Sequence, residues 1–163
     1  MLPEEIRENC EFWVVGFCGQ DSYGKQVRKF IQSFSRAKLF GVMNRSELRK
    51  LFQQIDCVVC ASLEETMSLT ITEGMMHGKV CITTDRTGMA EYIEDGVNGF
   101  ICKAGEAMSL YHCMRRVFEL RDDSYEIRRN ARTLYKEMFS MDRFGERLEQ
   151  ALQETKRRYY QKI

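Results

Sequence analysis

Short apolar runs alternate with longer amphipathic stretches along most of the chain, the pattern of strands alternating with helices. Residues 12–16, Phe12-Trp13-Val14-Val15-Gly16, predict a buried strand, and residues 57–61 predict another without a polar side chain. A strand covered on both faces reads that way. Between them, Tyr23, Val27, Phe30, Ile31 and Phe34 fall on one helical stripe, and residues 38–40 make a short strand ending at Gly41. Asn44 followed by Glu47 forms a capping box for a helix whose apolar face is Leu48, Leu51, Phe52 and Ile55. Beyond residue 61 the pattern predicts a helix over 70–77, a strand over 79–83, a short helix over 89–93 and a strand over 100–102. Three helical stretches follow, near 106–120, 124–138 and 141–160.

Repeated strand-helix-strand order at this spacing argues for an α/β class: a Rossmann-like three-layer α/β/α domain with a parallel sheet and extra C-terminal helices. Ligands of such sheets bind beyond the carboxyl ends of the strands, here the loops after Gly16, Gly41, Ala61 and Thr83. No Gly/Ser/Pro-rich linker interrupts the chain, so residues 1–163 read as a single domain, with the sheet over 12–102 and helices over 106–163.

Composition narrows the function classes. With 44% hydrophobic and 30% charged residues and no long apolar run, the chain is neither disordered nor membrane-spanning. Lys plus Arg number 25 against 24 Asp plus Glu, which removes the overall electrostatic case for a nucleic-acid binder. The balance hides an asymmetry: basic residues dominate 20–60 and acidic ones 63–98. Pro3 is the single proline, as expected of a helix-rich chain. Seven scattered cysteines, an odd number with no signal peptide before them, favour a reduced, cytoplasmic setting. Cys57 and Cys60 have C-x-x-C spacing, but strand geometry sends them to opposite faces, and no second pair or histidine cluster completes a metal site. The tail from Lys156 to Lys162 carries four positive charges and the aromatics Tyr159 and Tyr160. It reads first as a solvated or packing helix end, with contact to a membrane surface or a partner as the other reading.

The stretch from Ala61 to Val80 carries the candidate chemistry. An apolar strand ends in a loop of small and hydroxyl residues that enters a helix near Thr70, and the free N–H groups of a helix start accept an anion. Glu65 in the loop and Glu73, placed in the first turn, are carboxylates able to face the crevice above the sheet and accept hydrogen bonds from paired hydroxyls. Thr70 and Glu73 also have the spacing of a plain capping box. His77, before Gly78, is expected to cap the helix C-terminus, and it receives no catalytic role.

Ser62, Glu65 and Glu73 resemble the Ser-x-x-Glu and later Glu of the donor half of GT-B-fold glycosyltransferases of family 4. The likeness continues in His77-Gly78-Lys79-Val80-Cys81-Ile82, in Thr87-Gly88-Met89-Ala90-Glu91-Tyr92-Ile93 and in Asp95-Gly96-Val97-Asn98-Gly99-Phe100. Upstream, Val14-Val15-Gly16 and Phe40-Gly41-Val42-Met43 fit as well. The resemblance implies the C-terminal, nucleotide-sugar-binding half of a GT-B fold. It further implies retaining, metal-independent transfer of a hexose-type sugar from a nucleoside-diphosphate sugar to a glycan or lipid-linked acceptor, in polysaccharide biosynthesis. Glu73 would bind the ribose, Glu65 the hydroxyls of the transferred sugar, and the backbone of Thr66, Met67, Ser68, Leu69 and Thr70 the phosphate and sugar. Gly16 and the Gly41-Val42-Met43 loop would flank the base. No cofactor, no metal and no nucleic acid is expected, and the partner implied is a missing N-terminal acceptor-binding domain. The full-length enzyme would act in the cytoplasm, with peripheral contact at the inner face of the membrane.

Two departures stand out. Thr66-Met67-Ser68-Leu69 replaces the family's glycine-containing turn, and Gly74 its usual alanine. The family's Gly-Arg and Lys pair for the diphosphate has no counterpart, so the chain would be a fragment or one half of a split enzyme, unable to transfer sugar alone. The alternative reading is a non-enzymatic Rossmann-like partner subunit of such a split transferase, docked through its basic aromatic tail.

Overall fold

A computed structural model describes residues 4–161. Pro3 and Lys162 therefore lie outside the described residues. The chain divides into two compact units, Met1–Gln54 and Ile55–Ile163.

The first unit contains α1 (Glu4–Asn9), β1 (Phe12–Val15), α2 (Ser22–Gln32), β2 (Ala37–Gly41) and α3 (Arg45–Gln54). Helix α1 is absent from the sequence reading, because six residues with one buried apolar side chain, Ile6, show no period. Strands β1 and β2 pair in parallel, with the register slipping between Val14 and Val15. At the start of α2, the Asp21 side chain accepts a 2.8 Å hydrogen bond from the Gly24 N–H. The capping box before α3 forms as expected: Glu47 N–H donates to Asn44 Oδ1 at 3.0 Å, and Asn44 N–H donates to Glu47 Oε2 at 2.8 Å. Alongside β1, Glu11 Oε2 accepts from Lys38 Nζ at 2.9 Å and from Trp13 Nε1 at 2.8 Å. Those two donors hold the Glu11 carboxyl below the ordinary glutamate range.

The second unit contains β3 (Cys57–Cys60), α4 (Leu69–Met76), β4 (Val80–Thr84) and β5 (Phe100–Cys102). The helices α5 (Ala107–Leu120), α6 (Tyr125–Leu134) and α7 (Met141–Tyr160) follow. The short helix expected over 89–93 is a 3₁₀ turn at Gly88–Glu91. The stretch expected as one helix over 124–138 leaves α-helical geometry after Leu134, where Tyr135–Phe139 forms a π turn. Strands β3, β4 and β5 pair in parallel in that order. The mixed α/β architecture with parallel strands and covering helices is the Rossmann-like class expected of the chain.

Central β4 is buried at all five positions, with α4, α5 and α6 packed on it. Val80, Ile82, Phe100, Cys102, Cys113 and Ile127 form one buried cluster. Burial pushes the Cys102 thiol up to about 11 and raises Cys81 further, so both stay protonated. The expectation of two covered faces fails for β3. It pairs only with β4 within this sheet, and Val59 is 41% exposed, whereas Val58 on the other face is buried.

Helix α4 can approach the sheet closely because residue 74 has no side chain. A Cβ there would stand 2.9 Å from both Cys81 Sγ and Val58 Cγ2. Helix α7 buries none of its residues, and Met141, Phe144, Leu148 and Leu152 are exposed along it. Among the described residues no helix is long and apolar enough to cross a membrane.

Candidate functional site

The carboxyl end of β3 and the start of α4 converge on the loop 61–68. Strand alternation puts Cys60 on the same side as buried Val58, and the chain then turns through Ser62 toward Glu65. Glu65 Oε2 accepts hydrogen bonds from Ser62 Oγ at 3.1 Å and from Cys60 Sγ at 3.2 Å. Ser68 Oγ donates to Cys60 Sγ at 3.3 Å, and the same oxygen accepts from the Ile71 N–H at 3.4 Å. Four side chains from one strand end, one loop and one helix cap thus form a single connected group around one carboxylate oxygen.

Backbone contacts hold the loop to the segment that follows β4. Glu65 N–H donates to Arg86 O at 3.2 Å, and Gly88 N–H donates back to Glu65 O at 3.0 Å. Thr84 Oγ1 donates to Ser62 O at 2.7 Å. A Cβ at residue 88 would collide with the Thr66 carbonyl oxygen, so only glycine permits this approach.

The start of α4 differs from expectation by one residue, with chemical consequences. Ser68, 1% exposed, is the N-cap, and Thr70 lies inside the helix, so Thr70 and Glu73 do not form a capping box. Ser68 wins because its backbone is extended and its hydroxyl reaches the Ile71 N–H. Glu73 consequently falls at the fifth helical residue, and the first turn carries no acidic side chain. The Glu73 side chain is exposed, one turn beyond the Glu65 group. Leu69 and Thr70, both exposed, open the helix with N–H groups that have no intrahelical acceptor. Thr66 and Met67 lie on the exposed side of the loop. His77 caps the C-terminus of α4, as expected.

Gly16 and Gly41 meet within the first unit: Gly16 N–H donates to Gly41 O at 2.8 Å, and both have positive φ, 137° and 72°. Val42, 74% exposed, and half-buried Met43 follow. Nearby, Arg28 donates from Nη1 to Cys18 O at 2.9 Å and from Nη2 to Gly19 O at 2.8 Å. This guanidinium, one of the basic residues of the positive segment, is occupied with the loop after β1.

Cys60 is the functional candidate that sequence reading missed. Its strand period marked it as structural packing, yet it is the last strand residue before a run of hydroxyl and acidic side chains. None of the seven cysteines, all of them among the described residues, is in a disulfide.

Parallel strands, covering helices and a helix that starts just beyond a strand end define a Rossmann-like module. Residues 1–119 match the sequence profile of the glycosyl transferases group 1, and the chain belongs to that family of transferase enzymes. It is 23% identical over 141 residues, or 85% of its length, to a glycogen synthase of Thermodesulfovibrio yellowstonii. Over 75 residues, 46% of its length, it is 35% identical to EpsD of Bacillus subtilis, which carries a provisional glycosyltransferase name. These alignments span 28% and 19% of the two relatives. The crystal structure of Anabaena Alr3699/HepE in complex with UDP superposes with a TM-score of 0.81 and 24% identity, over 94% of this chain and 42% of that one. The same Anabaena protein has been crystallised with UDP-glucose.

Proposed function

We propose that the chain is the nucleotide-sugar-binding, C-terminal half of a family 4 GT-B glycosyltransferase. The proposed reaction is retaining, metal-independent transfer of a hexose-type sugar from a nucleoside-diphosphate sugar to a glycan or lipid-linked acceptor in polysaccharide biosynthesis. The observation that carries the reading is the half-buried Glu65 carboxylate, gripped by two donors beside the open N–H groups of α4. An anion bound at Leu69 and Thr70 is stabilised by the helix dipole as well as by those N–H groups. A sugar joined to that anion brings hydroxyl donors within reach of a carboxylate, while Glu73, one turn further along, is free to accept the two hydroxyls of a ribose. The complexes of the Anabaena relative with UDP and with UDP-glucose support this ligand class.

Gly16, Gly41, Val42 and Met43 are proposed to flank the base. Transfer needs donor and acceptor held in line, so it is proposed to require an acceptor-binding half, N-terminal to this one in the family pattern. The setting proposed is the cytoplasm, with peripheral contact at the inner face of the membrane in the full-length enzyme. Saturation-transfer NMR with UDP-, GDP- and dTDP-sugars tests the binding claim. Signal from the nucleoside of at least one donor, lost in Glu73→Gln, is expected. No signal at millimolar ligand, or equal signal in the variant, contradicts the reading.

A further inference from the structure

Two residues of the Glu65 group link the strand end to the helix cap. Cys60, half-buried, is the last residue of β3, and Ser68, buried, is the N-cap of α4. Both have polar hydrogens, and both hydrogens are directed inward. Ser68 Oγ has one proton to give. Because it accepts from the Ile71 N–H at 3.4 Å as the helix cap, that proton is free to go to Cys60 Sγ, 3.3 Å away. Cys60 in turn gives its thiol proton to Glu65 Oε2 at 3.2 Å, and its sulfur also lies 3.4 Å from Ser62 Oγ, which closes the group. The result is a directed line: Ile71 N–H to Ser68, Ser68 to Cys60, Cys60 to Glu65. Ser62 adds a second proton to the same carboxylate oxygen.

We infer that Cys60, backed by Ser68, is a positioning residue that fixes the rotation of the Glu65 carboxylate and ties it to the first turn of α4. Oε2 is saturated by two donors from the protein, so Oε1 is the oxygen presented to ligand hydroxyls. A carboxylate pinned through one oxygen cannot swing to meet the ligand at both, which raises selectivity for hydroxyls in one orientation. This inference rests on the reading of Glu65 as the group that holds the transferred sugar.

The test separates sugar recognition from nucleotide recognition. Affinities of UDP-glucose, GDP-mannose and dTDP-glucose are measured by titration calorimetry beside those of UDP, GDP and dTDP, for the full chain and two variants. Cys60→Val keeps the bulk of the side chain and removes its proton, whereas Cys60→Ser returns a donor at the same place. For the nucleotide that binds, Cys60→Val is expected to lower the affinity of the sugar nucleotide about tenfold, the scale of one hydrogen bond to a charged group, while leaving the nucleoside diphosphate unchanged. Cys60→Ser is expected to restore most of that loss. Equal losses for both ligands, no loss for either, or failure of Cys60→Ser to restore binding overturn the positioning role, and melting curves of each variant report whether it folds. A wild-type chain that binds none of the six ligands overturns the site reading together with this inference.

Discussion

The loop leaving β3 and the loops leaving β1 and β2 both sit at strand ends, but they are built from different materials. At the end of β3 the geometry is made by side chains: Cys60, Ser62, Glu65 and Ser68 bond to one another, and Gly88 is pressed against the Thr66 carbonyl. At the ends of β1 and β2 it is made by backbone: Gly16 and Gly41 adopt positive φ and share one hydrogen bond, with open space where their side chains would be. A side-chain network carries chemical selectivity and is sensitive to each residue in it. A backbone-built turn carries shape, and it tolerates any change that the backbone angles tolerate.

The comparison breaks most visibly at Gly88. Gly88→Val drives a branched side chain into the Thr66 carbonyl, and a urea unfolding curve should show a loss of about 3 kcal/mol. Gly41→Ala meets no atom within 4 Å, so only the strain of φ 72° remains, and the same measurement should give about 1 kcal/mol. If the two substitutions cost the same, the distinction between the loops fails. The smallest effect belongs to the surface pair beside β1. Glu11 is lowered by its hydrogen bonds from Lys38 and Trp13, so its contribution to stability is present above the ordinary glutamate pKa and is lost as pH falls through the lowered one. An NMR titration should find the Glu11 carboxyl below the usual glutamate range, returning toward it in Lys38→Met.

The same contrast explains what could be read before the structure. The Asn44 and Glu47 box was legible because both partners are local and exposed, and nothing competes for them. The Thr70 and Glu73 box has identical spacing and does not form, because Ser68, two residues earlier, is buried with its hydroxyl already aimed at Ile71. Spacing alone does not register that competition. Glu65 was legible through its motif, but its partner Cys60 was not, since an apolar strand gives no local sign that its final thiol turns toward a loop five residues on. The exposure of Val59 was hidden for a related reason: an all-apolar strand looks the same whether one face is covered or two.

The central claim is that α4 presents its first N–H groups, together with Glu65, to a nucleotide sugar. Amide chemical-shift mapping of the ¹⁵N-labelled chain during titration with UDP-glucose tests it most directly. The account predicts the largest shifts in the loop and first turn from Thr66 to Thr70, with smaller ones near Glu73. Shifts confined to other parts of the chain, or no shifts at millimolar ligand, would contradict it.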